Sequence, residues 1–165
     1  MKHYQIPCGR KNISIEIPDP IPVRWVESRK MTPVQDVKGA VEASLHRPLG
    51  TSRLRELVKP GQRVAIVVTD ITRKLPEEII LPLLIDELAA GGIRKMDVTA
   101  VVATGTHRPN TAEELREKFG EVVDEIAFLN HNPGDPKGLV HLGNTKNGIP
   151  LVFNRVVAQA DIRIS

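Results

Sequence analysis

A chain of 165 residues, 26% charged and 41% hydrophobic, is long enough to bury a substantial core and has the balance of an ordinary water-soluble domain. Aromatics at 3% leave Val, Ile, Leu and Ala to build that core and offer no stacking platform for nucleic-acid bases, and the net charge of +3 is scattered without a basic run. The single cysteine, Cys8, excludes an internal disulfide or multi-thiolate metal site, no apolar stretch approaches a membrane span, and the N-terminus lacks an apolar signal core, so the cytoplasm is the expected compartment.

Residues 4–6 and 12–17 flank Pro7-Cys8-Gly9-Arg10-Lys11, and Ile13, Ile15 and Ile17 alternate with polar residues. The two-residue period predicts an N-terminal antiparallel hairpin. Pro18, Pro20, Pro22 and Pro33 punctuate a looping segment around a short expected strand, Val23–Val26. Asp36 is placed to cap a helix through Val37–Leu45 that stops before Pro48, with His46-Arg47-Pro48 at its end. A second helix is expected over Ser52–Val58, ended by Pro60-Gly61.

The organised part follows. Arg63–Thr69 (RVAIVVT) reads as a central strand. Pro76–Ala90 reads as a helix with proline first, acids in the first turn and Gly91-Gly92 beyond its end, although Pro82 should kink it. Met96–Ala103 is the next strand, and Thr111 and Glu114 form a capping box for a helix ending at Gly120. After a strand at Ala127-Phe128-Leu129, segments 138–142 and 149–154 read as a hairpin, Val156–Ala160 as a helical turn and Asp161–Ser165 as a last strand. Alternating strands and helices imply right-handed crossovers and a single α/β domain over 1–165, Rossmann-like, with a mainly parallel sheet flanked by helices.

Two polar loops leave the carboxyl ends of expected strands: Asp70-Ile71-Thr72-Arg73 and Thr104-Gly105-Thr106-His107-Arg108-Pro109. In an open α/β sheet such loops line the ligand crevice, so both should face one hollow. Arg73 can clamp a carboxylate or phosphate, Thr72 and the amides of residues 72–75 can receive phosphate, and Asp70 suits ribose hydroxyls. Gly105 permits a tight turn, and His107 at the rim suits proton exchange near neutral pH. His131 follows a strand and is a weaker candidate for the same hollow; His141 reads as structural. No GxGxxG or P-loop motif occurs, and no close HxH or HxxxH spacing offers a transition-metal site.

Val67–Arg73, Pro82-Leu83-Leu84, Val102–Pro109, Ala160–Ser165 and the Leu49-Gly50-Thr51-Ser52 turn together resemble the N-terminal domain of the nickel-dependent lactate racemase family. The resemblance implies a two-domain enzyme using a nickel-pincer nucleotide. A 2-hydroxy acid would give its hydroxyl proton to a histidine while its C2 hydride moves to the cofactor, and the planar keto acid would regain hydride on the other face. By position, the resemblance makes His107 one of two acid–base histidines and Arg73 a holder of the substrate carboxylate. Asp70, Thr72, Gly105 and Thr106 would lie along the nucleotide. The second histidine, the cofactor-tethering lysine and the nickel-binding histidine of the family all fall after Ser165, so the chain is expected to be the N-terminal domain, lacking the C-terminal domain as a partner and inactive alone. The residues by themselves leave two other readings: a non-catalytic nucleotide- or anion-binding module, and an enzyme of this fold using His107 for proton transfer without nickel.

Overall fold

Val64–Thr69 is a run of β-branched and small apolar residues, the composition of a strand covered on both faces, and it forms β3 at the centre of the main sheet. The computed structural model describes all residues, Met1–Ser165, and its contacts divide them into two compact units, Met1–Pro33 and Val34–Ser165. The one-domain expectation thus meets a chain whose first 33 residues make a unit of their own.

In the first unit, β1 (Lys2–Cys8) pairs antiparallel with β2 (Lys11–Ile17), as the alternation of isoleucines predicts. The strand expected at Val23–Val26 does not form. Pro18, Pro20 and Pro22 have no N–H to offer a ladder, and Trp25 stacks on Tyr4 instead, with ring centroids 5.7 Å apart.

The second unit begins with α1 (Val37–His46), whose Asp36 accepts a hydrogen bond from the Gly39 amide at 2.8 Å. The helix expected over 52–58 shrinks to the single turn α2 (Leu54–Leu57), because Arg53 and Val58 are extended. Four strands then form one sheet in the order β5-β4-β3-β8: β3, β4 (Val98–Ala103), β5 (Ala127–Asn130) and β8 (Ile162–Ile164), all parallel. Crossovers run through α3 (Glu77–Ala90) and α4 (Ala112–Phe119). A hairpin of β6 (Leu139–Asn144) and β7 (Pro150–Asn154), then α5 (Arg155–Gln159), carries the chain to the far side of β3. Pro82 lies inside α3 without ending it; its ring is exposed, so the N–H it withholds from the Glu78 carbonyl is lost on the wet side of the helix.

The core lies between the sheet and α3 and α4. Ile66, Val68, Ala100 and Val102 pack against Leu81, Ile85, Leu88 and Phe119, and Phe119 meets Phe128 with centroids 5.0 Å apart. On the opposite face Val67, Val101 and Ala103 line a 510 Å³ apolar hollow with Leu139, Phe153 and Val157. One feature of register positions the site: Thr69 at the end of β3 is the neighbour of Ala103 at the end of β4. Their following loops therefore leave side by side, and the β3 loop stands where the strand order reverses.

Candidate active site

The two loops share a hollow of about 330 Å³ lined by Thr69, Asp70, Arg73, Ala103, Thr104, Gly105, Thr106 and His107. Of the site residues expected from the sequence, Asp70, Arg73, Gly105, Thr106 and His107 line it; Thr72 does not, but hydrogen-bonds to Asp70, and the weaker candidate His131 lies elsewhere.

At its centre the His107 Nδ1 stands 2.5 Å from the Asp70 Oδ2. The Asp70 side chain is 5% exposed, that of His107 53%. The other Asp70 oxygen, Oδ1, accepts from the Thr72 hydroxyl at 2.6 Å and the Thr72 amide at 3.2 Å. These bonds hold the Asp70 carboxyl below its ordinary value: the Thr72 hydroxyl contributes most and His107 next, against the upward push of burial. An ionised carboxylate can only accept, so Nδ1 carries the imidazole proton and Nε2 of neutral His107 keeps a free lone pair.

Both loops are held in place locally. In the second, the His107 amide donates to the Thr104 carbonyl at 3.0 Å, closing a turn in which Gly105 has φ +58, a conformation that costs glycine nothing. Thr104 is buried and donates from its hydroxyl to the His131 carbonyl at 2.6 Å. Past His107, Arg108 forks onto Glu114 at 2.7 and 2.6 Å, and Glu114 also accepts from the Thr111 amide in the capping box. The Arg108 bond is the main cause holding the Glu114 carboxyl at about 2. In the first loop the Arg73 amide donates to the Asp70 carbonyl at 3.1 Å. The Thr72 and Arg73 amides are thus spent inside the loop, which corrects the expectation that they await a phosphate. The start of α3 likewise carries the protein's own acids, Glu77 and Glu78.

Arg73 is the exception among these charges. It is exposed, lines the hollow, and its guanidinium pairs with no carboxylate. The Thr106 hydroxyl and the open side of Gly105, with no atom within 4 Å of where a Cβ would stand, complete a polar, accessible rim. His131 lines the neighbouring apolar hollow instead, where its Nδ1 faces the Asn154 amide nitrogen at 3.2 Å. His46 and His141 bond locally, to the Glu42 carbonyl and to Asn144. No group of three metal-ligating side chains gathers in the structure.

Sequence reasoning missed Glu77 and Lys118. Their buried ion pair, 2.8 Å long, lies under the first loop. Glu77 is one of the acids expected in the first turn of α3, and Lys118, unremarked in the sequence, stands in the last turn of α4, where a cation is favourable, so each has a sufficient local explanation.

Residues 8–165 match the family model described as the lactate racemase N-terminal domain. The chain belongs to that family. A lactate racemase of Thermoanaerobacterium thermosaccharolyticum is 29% identical over the whole of this chain and 39% of its own length. A lactate racemase of Lactiplantibacillus plantarum is 36% identical over 76% of this chain and 30% of its own. The solved lactate racemase apoprotein from the first organism superposes with a TM-score of 0.77 and 30% identity, over 98% of this chain and 38% of that one. A Thermotoga maritima protein, 23% identical, covers 77% of this chain and 32% of its own with a TM-score of 0.60, which shows the shared fold. The chain therefore spans about two fifths, or less, of the relatives it matches.

Proposed function

We propose that this domain supplies one acid–base histidine and the carboxylate-binding arginine of a racemase acting on a small 2-hydroxy acid of the lactate type. The observation that carries the reading is the Asp70–His107 pair beside the unpaired Arg73, in a hollow open to small molecules. Family membership supports it, since the curated relatives are named lactate racemases.

The residues suit the task. Arg73 can hold the substrate carboxylate through two parallel N–H bonds without offering a competing acid near neutral pH. Nε2 of His107, its tautomer fixed by Asp70, takes the C2 hydroxyl proton and returns it after the carbon has become planar. Asp70 acts through His107, and Thr72 steadies Asp70; that orienting part is added to the nucleotide-side role expected for both. The nickel-pincer nucleotide implied by the family resemblance fits the remaining donors: the Thr106 hydroxyl and the backbone beside Gly105, which no side chain shields, can approach an anionic nucleotide closely. When bound, that group supplies the acceptor for the C2 hydride. By the family resemblance, this domain would meet the nucleotide and the substrate, and the histidine that binds the nickel would lie outside these residues. A C-terminal domain, within the further length that the relatives have, is proposed as the partner that completes the site, and a cytoplasmic setting as where it works.

The test is D/L interconversion by the longer racemase containing this domain, loaded with cofactor and followed by circular dichroism. His107→Ala should cost about 10²-fold or more in kcat, the range for a positioned acid–base group, whereas Arg73→Ala should act mainly on KM. A His107→Ala enzyme at the parent rate refutes the assignment, and retained nucleotide binding with no interconversion in the parent favours a simple binding module.

A further inference from the structure

We infer that the buried Glu77–Lys118 ion pair is a positioning device that clamps both ends of the Asp70–Arg73 loop, so that α4 as well as β3 sets where the reacting groups stand. Both side chains are 5% exposed and 2.8 Å apart. Glu77 Oε1 accepts from the Thr69 amide and Oε2 from the Thr69 hydroxyl, each at 2.9 Å, at the residue before the loop. Lys118 Nζ donates to the Arg73 carbonyl at 2.6 Å, at the loop's last functional residue. Between these two fixed points lie Asp70 and Thr72, whose mutual bonds orient His107.

Stability alone does not explain such a pair. Removing two charges from water costs as much as their attraction returns, and well-packed apolar replacements of similar volume are often neutral or stabilising. What a hydrocarbon pair cannot supply is direction: each ion also hydrogen-bonds to backbone or hydroxyl groups at one end of the loop. Lys118 also reaches the loop from the opposite end of the second crossover, and α4 itself is tied to His107 through Glu114 and Arg108. One helix thereby references both site loops.

The importance of the loop rests on the reading of the hollow as the reacting site, but the test does not, because it measures loop order without turnover. In the 165-residue chain, Glu77→Gln with Lys118→Met removes both charges, keeps donors and acceptors for Thr69, and deletes the bond to the Arg73 carbonyl. Global stability should be unchanged or higher. The Thr72 and Arg73 amides should nevertheless exchange with solvent about tenfold faster or more, the loss expected when one hydrogen-bonded anchor opens. The Asp70 carboxyl, followed by ¹³C NMR, should titrate closer to its ordinary value. A folded double variant with unchanged loop exchange and unchanged Asp70 titration overturns the inference. If the double variant does not fold, the unmodified chain decides: Thr72 and Arg73 amides must be protected together with those of β3, and free exchange there beside a protected β3 overturns it equally.

Discussion

Asp70→Asn is the sharpest perturbation of the site, because it changes one charge and almost no volume. The new amide oxygen can still accept from the Thr72 hydroxyl and amide, so the loop keeps those two bonds, now 2.6 and 3.2 Å long. Only the group facing His107 changes character, from an acceptor to a donor. A charge-assisted bond worth about 1.5–3 kcal/mol gives way to a neutral one worth about 0.5–1.5 kcal/mol. With the His107 side chain 53% exposed, the net stability cost at neutral pH should be about 1 kcal/mol. The tautomer should invert. Facing an N–H donor, Nδ1 must accept, the proton moves to Nε2, and the lone pair that would receive the substrate's hydroxyl proton is lost.

Imidazole ¹⁵N chemical shifts report this directly: Nδ1–H in the parent chain at a pH where His107 is neutral, Nε2–H in the variant. If the proposed racemase reading holds, the inversion should lower kcat of the cofactor-loaded enzyme about 10²- to 10⁴-fold, the upper figure being the effect of the same change in a serine-protease triad. The pH dependence has a definite sign. The folded Asp70 carboxyl lies below its ordinary 3.8, so its stabilisation is complete above 3.8 and drains as pH falls through the lowered value. The parent–variant difference should therefore shrink in acid. An unchanged tautomer in Asp70→Asn would refute the orienting role, whatever happened to activity.

Glu87 tests how α2 is fastened to α3. Its carboxyl falls from 4.5 to about 2, chiefly through the Arg55 bonds at 2.9 and 2.7 Å, then Arg53 at 2.5 Å, against burial. Unscreened, that lowering corresponds to about 3 kcal/mol; with Arg55 39% exposed, Glu87→Gln should lose about 2 kcal/mol at pH 7 by urea denaturation. Because the folded value is depressed, the loss should be full above pH 4.5 and narrow as pH falls toward 2. Thr111→Ala removes the capping-box hydroxyl that accepts from the Glu114 amide and should cost about 1 kcal/mol by the same assay.

What the sequence made legible is what local pattern determines. RVAIVVT and MDVTAVVA announce buried parallel strands, and the polar residues after each announce two loops at one sheet edge; the β3–β4 register then turns adjacency into contact between Asp70 and His107. The boundaries that moved did so where tertiary partners decide. Val23–Val26 has strand-like residues but no ladder, and Ser52–Val58 has helical residues but extended ends. The Glu77–Lys118 pair was illegible for a different reason. Each member satisfies a helix-end rule by itself, so nothing in either neighbourhood was left over to signal a distant counter-ion.

Loops usually belong to the least stable part of a fold, and ligand-binding loops are drawn from that part by necessity. These two are held unlike most: Glu77 and Lys118 at the ends of one, Thr104 on the His131 carbonyl and Arg108 on Glu114 in the other, and Asp70 on His107 between them. An imidazole so held needs little reorganisation when a substrate arrives, which is where positioned catalytic groups gain most over free ones. Arg73 differs in kind: its backbone is clamped at both amide and carbonyl, while its guanidinium is free. The fixed backbone limits the arc through which that side chain can swing, and the missing carboxylate partner leaves it to be completed by an anion. On the proposed reading, the group that would transfer the proton is thus set beforehand by the protein, and the group that would recognise the acid is set by the acid itself.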